Sequence, residues 1–104
     1  MSQAAGRRRI ERRSGGTIIN VASIAALVGG NPDYMHTGGY NSSEGAVIEM
    51  TRDPAASWAR HNITVNATAP GWFPTRVRGG LIERFEESVV DDIPLGRLGT
   101  PDDL

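Results

Sequence analysis

The chain contains no cysteine and no lysine, and only six of its 104 residues are aromatic. Without cysteine there can be neither disulfides nor thiolate metal sites, and a reducing compartment is compatible. No apolar run approaches the roughly 20 residues of a membrane span, and the N-terminus lacks the apolar block of a signal peptide. These absences predict a soluble, cytoplasmic protein with no metal site and no membrane contact. Length sets a further limit: a chain this short buries roughly 60 to 65% of its unfolded surface, enough for one small core.

What charge there is sits unevenly. Arg7, Arg8, Arg9, Arg12 and Arg13 crowd the first thirteen residues with Glu11 as the only acid, while the remainder carries six arginines against eleven carboxylates. A basic cluster can attract nucleic acid. This one has no interleaved aromatics and no reading motif, so nucleic-acid binding is not expected and the solvated face of a helix is.

The pattern of elements is that of an α/β protein. Ser2 to Arg13 has the composition of a short helix with Ala4, Ala5 and Ile10 turned inward, stopped by Ser14-Gly15-Gly16. Thr17 to Ala22 is a β-branched run that reads as a buried parallel strand. Ser23 to Gly39 follows as a glycine-rich loop, long enough that a role in function is expected. Tyr40 to Arg60 has helical spacing with Ala46, Val47, Met50, Ala55 and Trp58 on one side, and Pro54 predicts a kink or break near residues 52 to 54.

Ile63 to Ala67 is the second strand, joined to the first through the helix and therefore parallel to it. The turn-rich stretch Ala69 to Thr75 leaves its carboxyl end, where ligands sit in open α/β sheets. Gly80 to Val90 is spaced as a short amphipathic helix with Leu81, Ile82, Phe85 and Val89 inward, and Thr100-Pro101-Asp102-Asp103 as a capped helix start.

Several ordered motifs then carry a resemblance. Gly16 to Ser23, Gly39-Tyr40-Asn41-Ser42-Ser43, Asn62 to Ala67 with Pro70-Gly71, and Ile93 to Arg97 with Thr100-Pro101 together resemble the C-terminal half of a short-chain dehydrogenase/reductase. The resemblance covers nearly the whole chain. It implies a partial Rossmann-like, doubly wound fold that keeps one parallel β-α-β unit and short C-terminal helices, with the N-terminal half of the sheet missing. Residues 1–15 correspond to a helix remnant and turn, residues 16–69 to the β-α-β unit, and residues 70–104 to the cofactor and substrate loops.

By that resemblance Ser23 holds a substrate carbonyl or hydroxyl and Tyr40 passes a proton to or from its oxygen. Pro70, Gly71 and Thr75 match the loop at the nicotinamide end of NAD or NADP, and Gly80 to Val90 matches a mobile segment over the substrate. The family dimerises through the helices flanking the serine strand, which implies a homo-oligomer or docking onto a full-length subunit.

Three departures shape the expected activity. Glu44 stands where the family's Tyr-x-x-x-Lys motif has lysine, and with no lysine in the chain none nearby can replace it. A cation one helical turn from a tyrosine stabilises its phenolate, whereas a carboxylate opposes it. The family's glycine-rich turn after its first strand has no counterpart, Gly29-Gly30 and Gly38-Gly39 following no such pattern, so the donors that would hold a cofactor pyrophosphate are missing. Pro54 burdens the helix that carries Tyr40. The resulting expectation is a truncated dehydrogenase, inactive alone, whose serine strand exposes an unpaired edge that favours self-association.

Overall fold

A computed structural model describes residues 1–34, 37–75 and 80–104, without the side chains of Leu81 and Glu83. Helix α1 (Ser2–Arg12), strand β1 (Gly16–Val21), helix α2 (Gly38–Trp58), strand β2 (Ile63–Thr68) and helix α3 (Leu81–Asp91) follow in that order. Short 3-10 turns occupy Ile24–Ala26, Ala59–His61 and Pro101–Asp103. The fold is a partial Rossmann fold: β1 and β2 form a parallel pair in the register Gly16 with Ile63 through Val21 with Thr68, and α2 makes the connection. Among the described residues, no helix is long and apolar enough to cross a membrane.

The first helix ends on a side-chain residue where the sequence suggests a glycine. Arg13 takes the left-handed conformation (φ 51°) and its N–H reaches back to the carbonyls of Arg9 and Ile10, so Gly15 and Gly16 act after the helix has closed. Gly15 is nevertheless demanding: its φ is +59°, and a Cβ there would stand 2.8 Å from the Asn62 carbonyl oxygen. The inward residue of α1 is also a correction. Ala4 and Ala5 are exposed and Ile10 is half-buried, whereas Gly6 is buried because the indole of Trp58 lies across it. Glycine there leaves room for the indole, so α1 packs on Trp58 without apolar bulk of its own.

Helix α2 corrects two expectations. It runs unbroken from Gly38 through Pro54 to Trp58. Proline removes the N–H that would meet the Met50 carbonyl, but Met50 is exposed to water, which can satisfy that oxygen. The turns on either side are also fixed by packing. Ala46 and Met50 face solvent, and the buried position is Thr51, whose hydroxyl bonds the Val47 carbonyl at 2.8 Å and accepts from Asn20 at 2.9 Å. Asn20 also accepts from Ser2 at 3.0 Å, so one polar chain stitches α1, β1 and α2.

The sheet is covered on one face only. Ile63 and Val65 are buried toward the helix layer, while Thr17, Ile19, Val21, Thr64 and Asn66 lie open on the other face. In α3, Ile82 and Val89 are buried as expected. Phe85 is only half-buried and its backbone (φ −128°, ψ 21°) is non-helical, which divides α3 in the middle; the side chain of Leu81 lies outside the described residues.

Candidate active site

Parallel pairing decides where the site forms. Because β1 and β2 run together, both chains leave the sheet at the same end. The Ala22 N–H still bonds the Thr68 carbonyl at 2.8 Å, and the Ile24 N–H bonds the Pro70 carbonyl at 3.0 Å, so the turn after Ser23 lies against the turn after β2. Ser23 is extended (φ −142°, ψ 154°) and caps the Ile24–Ala26 turn, its Oγ accepting from the Ala25 N–H at 3.2 Å. A hydroxyl that accepts in this way keeps its own O–H as a donor for a neighbouring oxygen.

Tyr40 sits in the first turn of α2, where Thr37 orders the helix start. The Thr37 carbonyl accepts from the Asn41 N–H at 2.8 Å, and the Thr37 hydroxyl donates to Asn41 Oδ1 at 2.9 Å. Two glycines precede Tyr40 within the helix, so helix α2 begins two residues before the tyrosine. Tyr40 is 41% exposed. Ser23, Tyr40, Pro70, Gly71 and Thr75 all line a single cleft of about 1090 Å³. The five residues singled out in the sequence are therefore gathered in one place from three segments of chain.

Glu44 lies one helical turn beyond Tyr40 on the same side of α2 and is not part of the cleft wall. The residue is half-buried, and its Oε2 is enclosed by protein without a hydrogen-bond partner among the described residues. An acceptor left so is costly unless a donor reaches it.

Sequence reasoning missed a second constellation in the same cleft. Tyr34 is buried, donates a short hydrogen bond to Asp92 Oδ2, stacks on Phe85 with centroids 5.8 Å apart, and meets Trp72 edge-on at 6.1 Å. Asn31 donates to the same Asp92 oxygen at 3.0 Å. Burial, then the hydrogen bond and charge of Asp92, push the Tyr34 hydroxyl up to about 12. The hydrogen bonds from Tyr34 and Asn31 hold the Asp92 carboxyl below the usual range. The turn formers Asn31-Pro32-Asp33 were the only local signal, and they say nothing of a partner 58 residues away.

The far wall is closed by the C-terminal segment. The Gly99 N–H bonds the Trp72 carbonyl at 2.8 Å, and the Arg97 guanidinium forks onto both oxygens of Asp103 at 2.9 and 3.0 Å. Thr100 caps the helix start that the sequence predicts, and its N–H and hydroxyl both donate to Asp103 Oδ2 at 2.7 and 3.0 Å. Arg97 and the two Thr100 donors hold the Asp103 carboxyl far below its ordinary value, and Asp103 in turn raises Arg97.

With this geometry in place, comparison with known proteins is informative. A family model described as Enoyl-(Acyl carrier protein) reductase matches residues 1–104. The 2-dehydro-3-deoxy-D-gluconate 5-dehydrogenase of Escherichia coli (strain K12) is 42% identical over 106 residues, which take in 100% of this chain and 40% of that protein. A solved short-chain type dehydrogenase/reductase from Mycobacterium marinum superposes with a TM-score of 0.90 at 34% identity, covering 99% of this chain and 39% of that one. A short chain dehydrogenase from Leptospira borgpetersenii, solved with bound NAD+, superposes with a TM-score of 0.83 at 27% identity, covering 99% of this chain and 39% of that one. The chain thus spans about two fifths of the length of the relatives it matches.

Proposed function

This chain belongs to the short-chain dehydrogenase/reductase family, and we propose that it carries the serine and tyrosine half of an NAD- or NADP-dependent oxidoreductase site for an alcohol or ketone, without turnover by these 104 residues alone. The observation that carries this reading is the convergence of Ser23, Tyr40, Pro70, Gly71 and Thr75 on one cleft, with Glu44 one turn behind the tyrosine. In the reductive direction the Ser23 O–H donates to the substrate carbonyl oxygen and Tyr40 delivers the proton that oxygen requires. In the oxidative direction Tyr40 takes it back.

Glu44 works against that exchange. On this reading a carboxylate one helical turn away opposes the phenolate where a cation would favour it, and nearby water screens the effect. The cofactor fits only in part. On this reading Pro70, Gly71 and Thr75, which line the cleft, would hold the nicotinamide end, which would supply or accept the hydride. The family's glycine-rich turn after its first strand has no counterpart in this sequence, and on this reading the pyrophosphate is held by the missing half.

A second reading, docking onto an intact subunit or onto another copy, is favoured by the open sheet face, where Ile19 is 65% and Val21 68% exposed. Both readings meet one experiment. The purified chain is incubated with NADH or NADPH and a panel of ketones, alone and with a separately produced N-terminal half of a family member, and cofactor absorbance is followed. The expected result is no turnover by the chain alone. Turnover in the absence of any second component overturns the proposal.

A further inference from the structure

The uneven charge of the sequence is carried in the fold by two helices of equal length. Helices α1 and α3 have eleven residues each and present opposite charge to solvent. On α1, Arg7, Arg8 and Arg12 are exposed, as is Arg13 just after it, and their side chains make no hydrogen bond or ion pair among the described residues. On α3, Glu86, Glu87 and Asp91 are exposed and equally unpartnered among those residues. The ion pairs of the described residues lie elsewhere, Arg52 with Glu49 and Arg97 with Asp103.

Each helix also carries one exception. Glu11 is the only acid of α1, and Arg84 is the only base of α3. Packing turns both toward solvent with the rest. Trp58 covers Gly6, which leaves Ala4, Arg8 and Glu11 on the far side of α1. Val89 is completely buried, which leaves Glu87 and Asp91 on the far side of α3, with Arg84 exposed just before the break at Phe85. Read in opposite directions, the two rows advance by the same steps of four and then three residues. Ala4 then meets Asp91, Arg8 meets Glu87, and Glu11 meets Arg84. The parallel arrangement sets Glu11 against Asp91, and α1 on a second α1 leaves arginine in excess on both sides.

We propose that the chain self-associates by laying α1 of one copy antiparallel on α3 of the next. The two faces differ, so the contact is heterologous and every copy offers one of each. Exposed ion pairs contribute little singly, so the association is weak and fades as salt is added. Neither Arg8 nor Glu87 lines the cleft or belongs to the sheet, so the contact rests on neither of the two readings above.

Charge exchange tests it. The weight-average mass of the full chain is measured by sedimentation equilibrium at low and high salt over a range of protein concentration. The mass is expected to rise with concentration at low salt and to fall back at high salt. Arg8→Glu and Glu87→Arg each weaken the association about three- to tenfold. An equal mixture of the two variants, and the double variant Arg8→Glu, Glu87→Arg, regain it, because both put opposite charges back across the contact. Recovery in the mixture also shows that each single variant is folded. A native chain that stays monomeric at low salt, single variants that associate as the native chain does, or a mixture and double variant as weak as the singles overturns the proposal. Association that ignores salt and the exchange but is lost in Ile19→Thr, Val21→Lys belongs to β1; it overturns the proposal and leaves the docking reading in place.

Discussion

Glu44 is a single side chain with two consequences, because it stands where the family's motif has lysine and leaves a carboxylate oxygen enclosed without a donor among the described residues. In an assembly completed by an N-terminal half, Glu44→Lys is expected to raise kcat by at least about tenfold, since reversing a nearby charge changes the barrier by more than the roughly 1.4 kcal/mol that a factor of ten represents. Initial rates of the two assemblies check this; equal rates contradict the electrostatic account. Tyr34 offers a second test at this scale. Its hydroxyl is raised from an ordinary value of 10 to about 12, so the folded state holds that proton more tightly than the unfolded state. The stabilisation is complete below pH 10 and lost as pH rises from 10 to 12. Urea midpoints measured at pH 9 and pH 11.5 are expected to differ by less in Tyr34→Phe than in the native chain. Ser23 and Tyr40 were legible in the sequence because each sits at the end of a patterned element. Tyr34 and Asp92 were not, because their partnership exists only after the loop and α3 are brought together.

Elements were legible where one local force dominates. The β-branched runs gave both strands to within a residue at each end, and the Thr100-Pro101 cap formed where the sequence put it. Helix α2 was legible in extent but not in continuity or facing. Pro54 predicts a break, yet the Thr51 and Asn20 bonds on one side and Trp58 over Gly6 on the other hold the helix through it. Those contacts are tertiary and leave no periodic signal. If the helix is carried past proline by packing, the backbone cost of about 3 kcal/mol is still present, and Pro54→Ala is expected to raise Tm by at least about 4 °C. An unchanged Tm would mean that the proline sits without cost. The turn between α1 and β1 is expected to respond in the opposite sense: Gly15→Ala meets a positive φ and the Asn62 carbonyl together and is predicted to cost about 1–3 kcal/mol by urea unfolding.

At the scale of the molecule the chain is drawn out. Its radius of gyration is 16.7 Å and its extents 50 × 29 × 23 Å, against about 13 Å for a compact domain of this size. The excess follows from a sheet of two strands with one bare face and from a hydrophobic core of seven buried residues among those described, of which only Ile63 and Val89 are enclosed almost completely. Ile19 and Val21 are exposed on the bare face of β1, whose outer edge has no neighbouring strand among the described residues, and such an edge can pair with another strand. On the docking reading, the native chain elutes as a concentration-dependent oligomer, and the double variant Ile19→Thr, Val21→Lys shifts toward monomer in light scattering. A monodisperse native monomer with cooperative unfolding contradicts it. The partial sheet was legible from strand count alone, whereas the open cleft required knowing that residues 69–75 and 92–104 fold over the same sheet end.

The most direct measurement is turnover in the mixture of this chain with an N-terminal half of a family member, made once with the native sequence, once with Glu44→Lys and once with Glu44→Lys, Tyr40→Phe. The account predicts negligible turnover in the first, clear oxidation of NAD(P)H in the second, and its loss by at least about a hundredfold in the third, since removal of a positioned acid typically costs 10²- to 10⁴-fold. Full activity with Glu44 in place, or activity in the second mixture that survives Tyr40→Phe, contradicts it.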